Sequence, residues 1–312
     1  MITTNSSTVL VRRAPALVPG DAVRIVATAH PGDARLDRGQ AVLEQLGLVV
    51  QYGEHVYGGT PYLAGTDQQR LDDLNAAVRD PAVRAVIGAR GGYGTQRIID
   101  GLDIDAVRAD PKIFVGFSDL TVLLSRLWRA ARLVSFYGPV AAWVDDRLGP
   151  ASIASLRGAL MTCDDIVLTR DPAEPSAAVR IDGTASGPLL GGNLTMIASD
   201  VGTGSLPDLT GAILLLEDVN EAPYRFDRML TQLIRSGKLD RLAGVVLGQF
   251  TNCGTGTPTA AAVVAERLGT LGVPVLGGLR IGHGAGQLTV PIGAHATMDV
   301  AAGTLVVAPG VR

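Results

Sequence analysis

The sequence is poor in cysteine, in aromatic residues and in basic charge. Its 312 residues include two cysteines, Cys163 and Cys253, and 4% of the residues are aromatic. Cysteines this far apart form neither a disulfide framework nor a paired-cysteine metal motif, so we interpret both as ordinary residues. A net charge of -3 provides no basic surface for nucleic acid or an anionic membrane, and we expect neither partner.

Long hydrophobic runs are also missing. No apolar stretch has the length of a transmembrane helix, and residues 1–21 lack the basic and apolar regions of a secretory signal. We therefore predict a soluble, cytoplasmic protein. Hydrophobic residues make up 47% of the chain and there are 39 glycines, which indicates a sizeable aliphatic core with many tight turns.

Strand and helix signals alternate in the first half of the chain. This alternation predicts an α/β fold with a parallel sheet covered by helices on both faces. The apolar runs predicted as strands are Val23–Ala27, Val83–Ala89, Ile113–Phe117 and Leu133–Phe136. The segments predicted as helices are Arg35–Leu46, Asp67–Val78, Leu120–Ala131 and Ala151–Leu160.

A polar segment, Thr162–Ser186, predicts a linker between an N-terminal domain at 1–161 and a C-terminal domain at 187–312. The second domain is expected to be mixed α/β with a β-rich end. Its predicted strands are Ala212–Leu216, Gly244–Leu247, Val273–Leu276, Leu288–Pro291, Thr297–Val300 and Leu305–Val307, the last three linked as hairpins. Its predicted helices are Tyr224–Ser236 and one that begins with Thr257 as N-cap and Pro258 at the first helical position.

Ser118 stands where a predicted buried strand meets a predicted helix. The apolar run Ile113–Phe117 ends just before it, and apolar residues then recur on one helical face from Leu120 to Trp128. A serine on such a sharp turn has the geometry of a nucleophile elbow, and the helix start behind it offers unpaired N–H groups to an oxyanion. A serine that only caps the helix would give the same pattern, so both interpretations stay open.

Four histidines are the candidate general bases. His283 lies in RIGHGAGQ, where flanking glycines leave its ring uncrowded. His30 follows the first strand, where ligand-binding loops begin in α/β sheets. His55 and His295 are more simply surface or packing residues.

The candidate acid is Glu217, at the end of the apolar run AILLLE. A carboxylate beside a buried strand must be paired. Its partner would be a histidine N–H in a catalytic site, or Arg225 or Arg228 in a structural ion pair. Asp218 and Glu221 follow directly, so spacing alone leaves the acid ambiguous.

The segment Ala89–Thr95, ARGGYGT, is a candidate anion-binding loop because it follows a predicted strand. Its three glycines permit positive φ and close approach of the backbone to a ligand. The match to dinucleotide fingerprints is weak, and no P-loop lysine follows. Arg90 would bind a substrate carboxylate or form a surface ion pair, and the sequence does not separate these two roles.

Together, these segments resemble the LD-carboxypeptidases, a serine peptidase family that includes muramoyltetrapeptide carboxypeptidase and the microcin-immunity peptidase. The resemblance extends over nearly the whole chain. The matching motifs are, in order, VPGD (18–21), RGGYG (90–94), GFSD (116–119), YGP (137–139), GPLLGGNL (187–194), LEDVNEAPYRFDRML (216–230) and IGHG (281–284).

The resemblance implies a catalytic triad of Ser118, Glu217 and His283. It also implies an oxyanion hole formed by the backbone N–H groups of Asp119 and Gly92. The serine would lie in a Rossmann-like N-terminal domain, and the acid and the base in the C-terminal domain. No metal or cofactor is implied.

The implied activity is removal of a terminal D-amino acid, most simply D-Ala from murein tetrapeptide during peptidoglycan recycling. Within the glycine-rich loop we expect Arg90, Gly91 and Tyr93 to contact this small peptide. Because family members often form dimers, a homodimer is also expected.

Two departures from the family pattern bear on these expectations. Tyr137 stands where many members carry a histidine before Gly-Pro. The microcin-immunity branch, which cleaves aminoacyl- or peptide-nucleotide conjugates, tends to carry a tryptophan before its Gly-Gly segment, and this chain has Leu189 and Leu190. The leucines favour the murein branch.

Two functions outside the family remain as alternatives. A generic α/β-hydrolase esterase is disfavoured because Leu120 occupies the position of the second glycine in G-x-S-x-G. A non-catalytic binding protein would use the glycine-rich loop for a phosphate or a sugar.

Overall fold

The computed structural model describes residues 10–144, 147–254 and 256–312. In chain order, the first half contains β1 (Ala22–Val26), α1 (Arg35–Gln45), β2 (Val49–Tyr52), α2 (Asp67–Arg79), β3 (Val83–Gly88), α3 (Thr95–Ile98), α4 (Ile104–Ala109), β4 (Ile113–Gly116), α5 (Thr121–Ala131), β5 (Ser135–Tyr137) and α6 (Pro150–Met161). The second half contains β6 (Ile166–Thr169), β7 (Arg180–Ile181), β8 (Thr184–Asn193), α7 (Leu194–Ser199), β9 (Ile213–Val219), α8 (Pro223–Arg235), β10 (Gly244–Thr251), α9 (Ala260–Gly269), β11 (Val275–Leu276), β12 (Val290–Ile292), β13 (His295–Asp299) and β14 (Thr304–Val307).

The first sheet has the strand order β12-β5-β4-β3-β1-β2. Strands β1 to β5 are mutually parallel, which confirms the predicted parallel α/β sheet. Strand β2 is not predicted from the sequence, because each of its four residues is exposed or half-buried and it contains no buried apolar run. The carboxyl ends of β3 and β4 lead directly into the glycine-rich loop and Ser118.

The second sheet has the strand order β6-β14-β13-β8-β9-β10-β11-β7. Its central strands β8 to β11 are parallel, and antiparallel strands flank them on both sides. The segment predicted as a linker, 162–186, contributes both edge strands, β6 and β7. Edge strands bury little side-chain surface, so their sequence is polar even though they belong to a sheet.

The prediction of three hairpin-linked strands at the C-terminal end is wrong for the first of them. Strands β13 and β14 do pair antiparallel. Strand β12 instead pairs with β5 in the first sheet, with Val290 opposite Tyr137. The C-terminal half therefore completes the N-terminal sheet and ties the two halves together beside the site.

The predicted start of α9 is also wrong by two residues. The N-cap is Thr259, whose Oγ1 accepts a hydrogen bond from the N–H of Ala262 at 3.2 Å. Thr257 and Pro258 precede the helix. Among the helices of the described residues, none combines the length and the apolar character needed to cross a membrane.

Candidate active site

Ser118 occupies a strained turn between β4 and α5. Its φ is 59°, in the left-handed region that non-glycine residues rarely adopt. Residues 118–120 form a single 3-10 turn, and neither this turn nor α5 begins with a side-chain cap. The turn therefore does not have the geometry of a serine N-cap, and strain of this kind often accompanies a functional residue.

Hydrogen bonds from three elements hold this turn. The Thr121 hydroxyl donates to the carbonyl of Ser118 at 2.7 Å, and the N–H of Ser118 donates to the hydroxyl of Tyr137 at 3.2 Å. The next residue, Asp119, turns its side chain inward and accepts a bond from the N–H of Thr95 at 2.9 Å. Because Asp119 is buried, its pKa is raised. These bonds link the serine turn to the end of the glycine-rich loop.

The glycine-rich loop passes directly beside Ser118. A Cβ added to Gly91 would lie 3.4 Å from the Ser118 hydroxyl oxygen. Gly92 has a φ of 122°, and a Cβ there would overlap the ring of His30. Both the backbone conformation and the space at Gly92 therefore require glycine.

Glu217 and His283 form a buried pair at the carboxyl end of β9. The carboxylate of Glu217 is fully buried, and its Oε2 lies 2.7 Å from Nδ1 of His283. Its Oε1 accepts hydrogen bonds from the Tyr137 hydroxyl at 2.7 Å and from the Asn193 amide at 3.2 Å. A carboxylate at Nδ1 favours the tautomer whose Nε2 is free to accept a proton.

The ring of His283 lies against the serine turn. Its centroid is 4.7 Å from that of Phe117, the residue before the serine, and His283 is 8% exposed. Gly282 has a φ of 130°, and a Cβ there would overlap the Glu217 carboxylate. Within the described part of the chain no hydrogen bond joins Ser118 Oγ to His283.

The neighbouring acid Asp218 is bonded elsewhere. Its Oδ2 accepts bonds from the N–H and the hydroxyl of Thr195, both at 2.9 Å, and its Oδ1 accepts one from Asn193 at 3.0 Å. Burial, together with the charge of Glu217, raises the pKa of Asp218 to about 6. Of the two adjacent carboxylates, Glu217 is therefore the one placed on the histidine.

The two arginines considered as structural partners of Glu217 do not contact it. Arg225 pairs with Glu221 at 3.1 Å, and Arg228 packs over the ring of Tyr224. Glu217 therefore has the histidine partner and not the arginine partner.

The other histidines have their own surroundings. His55 bonds to Asp73 at 2.9 Å, and His295 lies 2.9 Å from the hydroxyl of Ser186. His30 lies beneath the glycine-rich loop, where burial and the charge of Arg90 lower its pKa. None of these three side chains bonds to Ser118 or Glu217 in the described residues.

At the outer side of the loop, Arg90 is paired with Asp33 at 3.2 Å. This is the surface ion pair that the sequence left open, and the Arg90 side chain remains half-exposed. Tyr93 is 46% exposed, and its ring lies 6.2 Å from that of Tyr62. The two tyrosines form an aromatic wall beside the glycine-rich loop.

Sequence reasoning did not identify two polar residues that contact the acid, Tyr137 and Asn193. Asn193 lies in the GPLLGGNL segment, and Tyr137 is the residue that departs from the His-Gly-Pro pattern, but nothing in the local sequence shows what either side chain bonds. The described residues contain no group of three or more His, Cys, Asp or Glu side chains arranged to hold a metal ion. Cys163 is exposed, Cys253 is buried, and both are free thiols.

Comparison with protein-family models gives two successive matches. Residues 23–138 match the LD-carboxypeptidase N-terminal domain, and residues 186–298 match the LD-carboxypeptidase C-terminal domain. Among curated proteins, a putative carboxypeptidase of Streptomyces coelicolor is 43% identical, with 93% of this chain and 94% of that protein covered. A probable murein peptide carboxypeptidase of Bacillus subtilis is 38% identical, with 95% and 94% covered.

Solved structures show the same fold. The muramoyltetrapeptide carboxypeptidase of Oxalobacter formigenes superposes with a TM-score of 0.82 at 30% identity. The superposition covers 93% of this chain and 100% of that one. The protein MccF, in complex with glutamyl sulfamoyl guanosine, superposes with a TM-score of 0.87 at 22% identity, covering 96% and 99% of the two chains. The second likeness concerns the fold alone.

Proposed function

The chain belongs to the LD-carboxypeptidase family, and we propose that it acts as a serine peptidase that removes D-Ala from murein tetrapeptide. Its carboxypeptidase activity follows from family membership and from relatives at 38% and 30% identity that carry this function in their names. The observation that carries the serine mechanism is the Glu217–His283 hydrogen bond of 2.7 Å, beside a serine held at a φ of 59°.

In the proposed reaction, Ser118 Oγ attacks the carbonyl that precedes the terminal D-residue. Nε2 of His283 takes the hydroxyl proton, and Glu217 stabilises the resulting imidazolium through Nδ1. The N–H groups of Asp119 and Gly92 bind the oxyanion. His283 then returns the proton to the leaving D-Ala amine, and water hydrolyses the acyl-enzyme by the same route.

Residues at the loop entrance are proposed to bind the peptide. Arg90, already oriented by Asp33, would contact the terminal carboxylate, while Gly91 and Tyr93 would line its path to the serine. A carboxylate pairs well with guanidinium, which can form two parallel hydrogen bonds to it.

The murein peptide is favoured over a nucleotide conjugate by the residues before the Gly-Gly segment. Leu189 and Leu190 are buried in β8, with exposures of 0% and 1%. They offer no aromatic face on which a nucleobase would stack. Aminoacyl-nucleotide conjugates are therefore the second substrate class to test.

The test compares the wild type with Ser118→Ala on the tetrapeptide L-Ala-γ-D-Glu-diamino acid-D-Ala, with release of free D-Ala as the readout. We expect release by the wild type alone, because the variant keeps the fold but lacks the nucleophile. Equal release by both proteins would refute the serine mechanism. No release by a folded wild type would refute the murein substrate.

The cytoplasmic location and the homodimer stay predictions. Light scattering on the purified protein measures the assembly state directly, and a monomer at working concentration would contradict the dimer.

A further inference from the structure

We propose that Tyr137 is a positioning residue that couples the nucleophile's turn to the acid through a single hydroxyl group. This inference rests on the proposed function of Ser118 and Glu217. The Tyr137 hydroxyl accepts the N–H of Ser118 at 3.2 Å and lies 2.7 Å from Oε1 of Glu217. It thus contacts both ends of the proposed triad without facing the substrate.

The position of Tyr137 in the fold fixes its ring. It is the last residue of β5, paired with Gly116 of β4 on one side and with Val290 of β12 on the other. The side chain is fully buried, at 0% exposure. Since β12 comes from the C-terminal half and Glu217 lies in the second sheet, the hydroxyl sits at the junction of the two halves.

The polarity of these bonds leaves one arrangement. A backbone N–H can only donate, and an ionised carboxylate can only accept. The hydroxyl therefore accepts from Ser118 and gives its one proton to Glu217. Burial and the neighbouring Glu217 charge raise the pKa of Tyr137 well above its usual value, so it remains a donor at all working pH values.

Two consequences for catalysis follow from the donor and acceptor roles of the Tyr137 hydroxyl. The bond from Tyr137 helps to orient Oε1 of Glu217 inward and leaves Oε2 for His283. The bond from Ser118 stabilises the left-handed turn that presents the hydroxyl. Removal of the tyrosine hydroxyl would leave the half-buried N–H of Ser118 without this acceptor and would weaken the stabilisation of the Glu217 charge.

Loss of the hydrogen bond from Tyr137 to Glu217 should shift the pH dependence of activity in one direction. A carboxylate with one donor fewer attracts a proton more strongly, either directly or through the imidazole that it holds. The other groups that face the Glu217–His283 pair are Asn193, which donates to Oε1, the adjacent Asp218 carboxylate, the Cys253 thiol, and Arg147, which donates to the carbonyl of His283. These stay in place in Tyr137→Phe, so the acid limb of activity should move to higher pH.

The test is the rate at which a fluorophosphonate probe labels Ser118, measured against pH in the wild type and in Tyr137→Phe. We expect labelling of Tyr137→Phe to be about 10- to 100-fold slower, since one hydrogen bond to the Glu217 carboxylate and one from the N–H of Ser118 are lost. We also expect its acid midpoint to lie about one pH unit higher. Each rate is divided by the folded fraction measured at the same pH, so the midpoint remains informative if stability falls.

The matched control is Tyr52→Phe, which removes a hydroxyl that donates to Gln40 at 2.8 Å in the first half of the chain. It should label as the wild type does. A Tyr137→Phe profile with the wild-type rate and midpoint, or an equal loss in Tyr52→Phe, would overturn the positioning role. Absence of label in the wild type would instead refute the serine mechanism, and label without D-Ala release would refute only the murein substrate.

Discussion

The substitution Glu217→Gln tests the triad most directly, because the surroundings decide which way the new amide points. Two donors, the Tyr137 hydroxyl and the Asn193 amide, face Oε1 at 2.7 Å and 3.2 Å. The glutamine must therefore place its carbonyl oxygen there and its NH₂ group toward His283. An NH₂ group can only donate, so Nδ1 would become the acceptor and Nε2 would carry the proton.

In that tautomer Nε2 has no lone pair to take the proton from Ser118. The loss is expected to reach roughly 10³- to 10⁴-fold in kcat, or about 4–5.5 kcal/mol, the size seen when a triad acid becomes an amide in other serine hydrolases. Stability should change little, since the amide has the same volume and its oxygen keeps both donors.

The assay is D-Ala release under saturating peptide, with thermal unfolding alongside. The control is Asp218→Asn, an acid-to-amide change at the adjacent position, whose oxygens bond to Thr195 and Asn193 and not to the histidine. It should lose less than about tenfold. Retention of activity within tenfold by Glu217→Gln, or a comparable collapse of Asp218→Asn, would refute the assignment of Glu217 as the acid.

Further predictions concern the loop and the buried acid. Gly92→Ala should lower kcat by at least about tenfold, because its Cβ would overlap the ring of His30 and displace a proposed oxyanion donor. The control is Gly158→Ala in α6, where a Cβ would meet no atom within 4 Å. It should leave kcat unchanged and raise stability by up to about 1 kcal/mol. Equal activity of the two alanine variants would contradict this. The raised pKa of Asp218, from 3.8 to about 6, means that its contribution to stability is complete below about pH 4 and is lost as the pH rises through 6. In urea unfolding, the stability of Asp218→Asn relative to the wild type should therefore rise by up to about 3 kcal/mol from about pH 4 to about pH 8. A difference that is flat with pH would show that folding does not raise the pKa of Asp218.

Much of the fold could be predicted because its signals are local. Strand β4 is an uninterrupted apolar run, and β1 and β3 are mostly apolar, each with a single arginine. Helix α5 carries an apolar stripe that meets β4 at Ser118. These patterns depend on neighbours in the sequence, so they predicted the parallel sheet and located the serine at a strand–helix turn. The family resemblance then favoured Glu217 and His283 as its partners, a role that stays a prediction.

Elements whose sequence depends on distant partners could not be predicted from local patterns. The edge strands β6 and β7 are polar because few side chains cover them, so their sequence predicts a linker. Strand β12 was assigned to the wrong neighbour because three apolar residues fit the edge of either sheet. The choice between the two sheets is made by long-range packing, which leaves no periodicity in the sequence.

By itself, then, the sequence determined the class of fold and the family, and it indicated candidate residues for acyl transfer, since these follow from local patterns and from motifs. Tertiary structure decided which of two adjacent carboxylates meets the histidine, why neither arginine does, and that β12 closes the first sheet beside the site. It alone brought Tyr137 between Ser118 and Glu217, because that contact joins residues 80 positions apart. Pairings over such distances depend on how two sheets pack, and no local pattern encodes them.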